Sequence, residues 1–137
     1  MRAILATLAV AVLSTIAGCG SGGALEEASE QVSDRYPEVV DATARRQADG
    51  TWHFDVTISS PYDGPTRYAD AWRIVAADGR VLGIRELAHH HGAEQPFTRS
   101  LVGIEIPESV GTVTIEGRDL QNGWGGRTLE LRLEAAS

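Results

Sequence analysis

The fold is decided by one stretch near the middle of the chain, residues 52–59, which reads WHFDVTIS. Every second residue is apolar, from Trp52 to Ile58, and the residues between them are polar. This period of two is typical of a β-strand that buries one of its faces. The sequence therefore predicts a half-buried strand over 52–59.

Further strands are predicted on both sides of this stretch, separated by turns such as Ala48-Asp49-Gly50 and Asp78-Gly79. They cover 39–47, 68–76, 81–87, 99–106, 112–118 and 129–133. About seven short strands without a long amphipathic helix favour an all-β fold, an antiparallel β-sandwich of the immunoglobulin or fibronectin type III kind. A small β-barrel is the competing architecture. The Cys–Trp–Cys pattern of antibody domains is absent.

The N-terminal region predicts export. Met1-Arg2 is followed by an apolar run over 3–13 and by small residues over 14–18, which is the layout of a secretory signal peptide. Cys19, the only cysteine, comes directly after it and resembles the lipidated first residue of a mature bacterial lipoprotein. An uncleaved membrane anchor would need roughly 20 apolar residues, and this run is too short. A plain secreted protein with an incidental Cys19 is the other alternative.

The predicted organisation has three parts: a lipoprotein signal peptide over 1–18, a lipidated flexible tether over 19–35 and a β-sandwich domain over 36–137. Gly20-Ser21-Gly22-Gly23 gives the tether its flexibility. The predicted location is the bacterial cell envelope, through a lipid anchor. Because Gly20 rather than aspartate follows the cysteine, a Gram-negative source would place the protein on the outer membrane, facing the periplasm.

Composition excludes several function classes. The formal net charge is −7, which disfavours nucleic acid as a partner. A single cysteine rules out a disulfide framework, and once acylated it cannot act as a metal thiolate or a nucleophile. The serines lie in no nucleophile-turn motif, so we predict no catalytic residues.

One segment could carry chemistry: residues 87–100, which read LAHHHGAEQPFTRS. Imidazole and carboxylate groups bind Zn and Cu. In an extended chain His89 and His91 point the same way and His90 the other way, because side chains alternate. The segment therefore predicts a divalent transition-metal site, for Zn or Cu, formed by His89, His91 and Glu94. His53 is a candidate fourth ligand.

The same segment has a structural interpretation. Pro96 would fix the loop, Phe97 would anchor it in the core, and Glu94 would pair with Arg99. A pH-responsive role is also open, because clustered imidazoles titrate near their usual pKa of about 6.5.

A resemblance to known proteins rests on the same region. The run EQPFTRSL at 94–101, together with DAWR at 70–73 and GWGG at 123–126, resembles a family of small bacterial exported proteins or lipoproteins of uncharacterised function. The resemblance implies an exported domain and brings no activity with it.

Two other residues stand out. By alternation, Asp70 falls on the same side of its strand as Trp72 and Ile74, so it is predicted to need a charged partner, the candidates being Arg73, Arg85 and Arg99. Trp124 lies between glycines and is either part of an aromatic ligand platform or a core residue.

The sequence therefore predicts a non-enzymatic, membrane-tethered binding protein whose partners are the membrane, through its lipid, and an envelope protein. In its more specific form, the predicted function is metal binding through His89, His91 and Glu94. The alternative is a protein-interaction or assembly module in which the same loop is structural or faces the partner. A small metal-dependent hydrolase is the least favoured interpretation.

Overall fold

A computed structural model describes residues 34–134. The predicted signal peptide, Cys19 and most of the predicted tether lie outside the described residues, as do 135–137. No helix within 34–134 is long and apolar enough to span a membrane. The regular elements in this part of the chain are eight strands: β1 (Glu38–Arg46), β2 (Trp52–Ser59), β3 (Ala69–Ala76), β4 (Val81–Glu86), β5 (Phe97–Ile104), β6 (Thr112–Asp119), β7 (Gly123–Trp124) and β8 (Leu129–Arg132).

The strands form two antiparallel sheets. One has three strands in the order β1-β2-β5, and the other has five, in which β3 lies between β4 and β6 while β7 and β8 both pair with the far side of β6. The predicted all-β sandwich is confirmed. Its finer assignment to the immunoglobulin or fibronectin type III kind stays a prediction.

The core lies between the two sheets and follows the period of two. On β2, Trp52, Phe54, Val56 and Ile58 are buried, and the residues between them are only partly covered. The opposite sheet contributes Trp72, Ile74, Val113 and Ile115. Each such burial contributes roughly 1.5–3 kcal/mol relative to exposure, so this layer is the main source of stability.

Strand β5 begins earlier than predicted, at Phe97 rather than Arg99. Phe97 pairs with Ile58 of β2 and is almost completely buried, so the core draws it into the sheet. The short strand β7 was not predicted, because two residues carry no periodic signal.

The two ends of the sandwich differ, and we name them by their connections. The turn end consists of the turns at 47–51 and 77–80 and the loop at 105–111. The loop end consists of residues 34–37 and the loops at 60–68, 87–96 and 120–128. The described chain begins at the loop end, so a lipid attached at Cys19 would join the domain there.

At the loop end, Tyr36 and Pro37 lie in a recess made by three glycines. A Cβ atom on Gly126 would overlap the carbonyl oxygen of Pro37, and one on Gly125 would lie 2.6 Å from the Tyr36 ring. At Gly117 it would lie 2.7 Å from Pro37 Cγ. The glycines are therefore needed for the N-terminal segment to pack across the five-stranded sheet.

Candidate functional site

The candidate site is the loop at 87–96, which we call the His loop. It is fixed to the core at both of its ends. Leu87 is buried and its N–H donates to the Asp70 carbonyl at 2.9 Å, while Phe97 directly after the loop is only 2% exposed. The loop is therefore a short span between two buried anchors.

Asp63 ties the middle of the His loop to the neighbouring loop at 60–68. One carboxylate oxygen accepts from the N–H of His91 and the other from the N–H of Ala69, both at 3.0 Å. The backbones approach so closely here that a Cβ on Gly92 would lie 2.6 Å from the Asp63 carbonyl oxygen. One carboxylate thus satisfies buried backbone donors from two separate segments.

Gln95 makes a second link between the same two loops. Its Oε1 accepts from the Ser60 N–H at 2.7 Å, and its Nε2 donates to Ser60 Oγ and to the His91 carbonyl, both at 3.2 Å. Sequence reasoning missed the roles of Ser60, Asp63 and Gln95. The only signal was the gap between the predicted strands at 52–59 and 68–76, and this gap does not indicate which other loop its side chains contact.

His91 is the central side chain of the His loop. It is 5% exposed, and its ring stacks on Phe97 with centroids 4.0 Å apart and an interplanar angle of 15°. Its Nδ1 is buried without a hydrogen-bond partner in the described part of the chain. Burial lowers the pKa of His91, and the positive charge of Arg99 and the nearby His89 lower it further. The ring is therefore a neutral packing element at pH 7.

The other two predicted ligands are exposed and engaged in local contacts. His89 Nδ1 lies 3.0 Å from the His90 carbonyl oxygen, and the His89 ring centroid is 4.7 Å from that of His91. Glu94 accepts from Arg99 Nη2 at 2.7 Å, and this hydrogen bond lowers the pKa of Glu94. This pairing of Glu94 with Arg99 is the one that the structural interpretation of the segment predicted.

The structure gives no support to a metal site at His89, His91 and Glu94. Among residues 34–134, no group of three or more His, Cys, Asp or Glu side chains is placed to hold a metal ion. The reason is local: His91 is buried against Phe97, and the Glu94 carboxylate pairs with a guanidinium. The suggested fourth ligand, His53, instead lies 3.1 Å from Asp55 on the outer face of the three-stranded sheet.

Asp70 has a charged partner, but not one of the three predicted arginines. Arg118 donates to both Asp70 oxygens, at 2.8 and 3.0 Å, and also to Glu86 at 3.0 Å. The pairing of β3 with β6 shifts by one residue between Ala69 and Ala71, and this irregularity takes Asp70 out of the inward alternation. The alternation of side chains in a regular strand could not predict this outward position of Asp70.

Trp124 is neither an open platform nor a core residue. Its ring lies on the outer face of the five-stranded sheet, with the Arg73 guanidinium 4.0 Å and the Arg118 guanidinium 5.1 Å from its centroid. Arg73 also donates to Glu116 at 2.7 Å. The ring and the ion pairs form one charged strip on this face.

Asp119 is a buried carboxylate whose role the sequence did not reveal. It holds together the other segments of the loop end. Asp119 is 1% exposed and accepts from Arg67 Nε at 3.1 Å, from the Gln121 N–H at 3.0 Å, and from the Asn122 N–H and Nδ2, both at 2.7 Å. Arg67 Nη2 also donates to the Asp34 carbonyl at 2.7 Å. Asp119 thus connects the loop at 120–128, through Arg67, to Asp34.

No family model and no solved structure match the chain. A protein from Halomicrobium mukohataei named "Putative lipoprotein" is 35% identical over 112 residues, which is 82% of this chain. The matched region is 55% of that relative, so the chain spans about half of the relative's length.

Proposed function

We propose that the protein is a lipid-anchored domain of the cell envelope, acylated at Cys19, that binds an envelope protein through its loop end and has no enzymatic activity of its own. The predicted signal peptide over 1–18, followed directly by Cys19, supports the anchor, and so does the similarity to a relative whose name describes a lipoprotein. That similarity also supports membership of an uncharacterised lipoprotein family.

The observation that carries the binding role is how the His loop is held. Asp63 and Gln95 fix its backbone from the inside, while His89, His90 and Glu94 stay exposed on its outer side. A loop that is already ordered loses less conformational entropy when a partner binds. Polar side chains on a rigid loop are a common form of recognition surface.

Metal binding is not part of this proposal, and a titration tests that choice. We expect the full chain to bind Zn²⁺ and Cu²⁺ weakly, with little change in the His89→Ala/His91→Ala variant. Tight one-to-one binding that this variant abolishes, measured by calorimetry, would replace the protein-binding role with a metal site.

The anchor is tested by membrane fractionation and by fatty-acid labelling in cells. Cys19→Ser is expected to abolish labelling and to release the protein from the membrane fraction. Ser21→Ala, two residues away, is expected to change neither. A Cys19→Ser protein that stays labelled would overturn the lipid anchor.

The binding surface is tested by placing a photo-crosslinking residue at His90, on the loop end, or at Asp78, on the turn end. We expect a single envelope protein to crosslink at position 90 and not at position 78. The purified partner should then bind the full chain, and His89→Ala/His90→Ala should weaken that binding while Asp78→Ala does not. Equal crosslinking at both ends, or unchanged binding by the double variant, would contradict the proposal.

A further inference from the structure

A second candidate site is a pocket at the turn end, at the opposite end of the sandwich from the His loop. It opens between the end of β1, the start of β2, the loop at 105–111 and the residue that follows β8, and its volume is about 330 Å³. Trp52 is 6% exposed and is the most deeply buried of the residues that line it. A pocket of this size falls within the range of small-ligand sites, about 300–1,000 Å³.

The walls of the pocket are apolar and already ordered. Ile106, Val110 and Leu133 pack against the core but are only partly buried, and all three line the pocket. The Val110 N–H donates to the Pro107 carbonyl and the Leu133 N–H to the Gly111 carbonyl, both at 2.9 Å. An apolar group that enters the pocket would therefore leave water without first having to order these segments.

Two opposite charges lie beside each other at the rim of the pocket. Arg46 Nη2 is 3.4 Å from Glu108 Oε1, and the two side chains are 34% and 87% exposed. An ion pair this long and this exposed contributes little to stability, so a ligand can replace either partner at small cost. A guanidinium binds a carboxylate through two parallel N–H groups, and a carboxylate accepts hydrogen bonds from an ammonium group. The rim can therefore bind one group of each charge.

We propose that this pocket binds a free α-amino acid with an apolar side chain. The carboxylate of the amino acid contacts Arg46, its ammonium group contacts Glu108, and its side chain lies against Trp52. An α-amino acid carries both charges on one carbon atom, so they lie side by side as the two charges of the rim do. A carboxylic acid without the ammonium group would gain only one of the two contacts and would bring like charges together at Glu108. The pocket uses no residue of the His loop, so this proposal and the proposed function can fail independently.

The first test is a calorimetric titration of the full chain with leucine and with three related compounds. Leucine is expected to bind one-to-one. N-acetyl-leucine lacks the ammonium group, leucinamide lacks the carboxylate and glycine lacks the apolar side chain, so each is expected to bind at least about tenfold more weakly. Absence of leucine binding, or equally strong binding of any of the three related compounds, would overturn the proposal.

The second test locates the site with substitutions of exposed residues. Arg46→Gln and Glu108→Gln should each weaken leucine binding at least about tenfold, because each removes one charged contact. Arg45→Gln and Glu105→Gln are the matched controls, since neither residue lines the pocket, and both should leave binding unchanged. Circular dichroism checks that all four variants fold. Binding that Arg46→Gln and Glu108→Gln leave unchanged would contradict the proposal.

A third measurement identifies what occupies the pocket. In NMR spectra, leucine should shift the signal of the Trp52 indole N–H and should leave that of Trp124, at the loop end, in place. Trp52→Phe assigns the signal. Contacts of the Trp52 indole with residues 135–137 rather than with leucine would make that segment the occupant and would overturn the proposal.

Discussion

At the loop end the connections are held together by side chains from other segments, whereas at the turn end each connection is closed by its own backbone. Asp63, Gln95 and Asp119 reach across the loop end from one segment to another. At the turn end, the Gly50 N–H donates to the Gln47 carbonyl at 3.0 Å and the Gly79 N–H to the Ala76 carbonyl at 2.9 Å. The loop end therefore depends on a few distant polar groups that are at least partly buried, whereas the link from Arg46 to Glu108 at the turn end is exposed and 3.4 Å long.

The comparison shows that one scaffold combines turns that stabilise themselves with loops that order one another. A turn that closes on itself stabilises the fold locally and needs no contact with its neighbours. Loops that share buried hydrogen bonds order one another, so their outer side chains are held in a defined arrangement.

The largest effect is expected from Asp119→Ala. The substitution leaves Arg67 and the backbone donors of Gln121 and Asn122 without their acceptor, and we expect a loss of about 3–4 kcal/mol in the free energy of unfolding. Urea denaturation measures it. Asp49→Ala at the turn end removes an exposed carboxylate and should cost far less. Similar losses for the two variants would remove the distinction between the ends.

Gly126→Ala and Gly79→Ala compare the two ends at matched backbone geometry. Both glycines have φ of 87°, so an alanine costs about 1–2 kcal/mol at either position. At Gly79 nothing lies within 4 Å of the added Cβ, whereas at Gly126 it overlaps Pro37. We therefore expect Gly126→Ala to lower the free energy of unfolding by about 1 kcal/mol more than Gly79→Ala does. Equal losses in thermal or urea unfolding would show that the recess can open without cost.

Asp63→Ala removes the acceptor of two backbone donors and is expected to cost about 2–3 kcal/mol. A more specific expected result is that the His loop becomes less ordered. Amide hydrogen exchange at His91 should become faster, while exchange in β2 should change only as much as global stability does. Unchanged exchange at His91 would show that Gln95 alone holds the His loop.

The smallest expected effect is the pH dependence that His91 gives to the free energy of unfolding. The folded-state pKa of His91 is lowered, so as pH falls through about 6.5 the unfolded chain takes up a proton that the folded chain does not. The free energy of unfolding should therefore fall with pH in this range and show no His91 contribution above it. The groups that face the ring are Arg99, His89, Asp63 and Glu94.

Melting temperatures at about pH 7.5 and pH 5.5 check this prediction. His91→Gln should reduce the difference between them, and His90→Gln, which changes an exposed neighbour, should not. The pKa values of Glu94 and Asp55 are also lowered, but these carboxylates change the free energy of unfolding only at still lower pH. A wild-type protein equally stable at both values would contradict the buried, neutral His91.

Sequence reasoning predicted the fold well and the candidate site only in part. The alternation in 52–59 and the Asp-Gly turns are local signals, and they correctly placed the core of β2 and both turns of the turn end. The anchoring of Phe97 and the pairing of Glu94 with Arg99 were also predictable, because these residues are close in sequence.

What the sequence could not show depends on contacts between distant segments. Asp119 continues the inward side of β6, yet nothing local reveals that four donors surround it. The pairing of Asp70 with Arg118 depends on a one-residue irregularity between two strands. The three adjacent histidines predicted a metal site from composition, whereas the fold turned one of them into a packing residue.

The recess for Tyr36 and Pro37 has a mechanical consequence. If the protein is anchored at Cys19 as proposed, a pull along the chain would reach Asp34, whose carbonyl Arg67 holds, and would pass through Tyr36 and Pro37 into β1. Because β1 runs from this end along β2, and the bonds between them lie across its axis, the tension loads those bonds together in shear. An anchor at Cys19 would therefore load the first strand in shear rather than peel it away one hydrogen bond at a time.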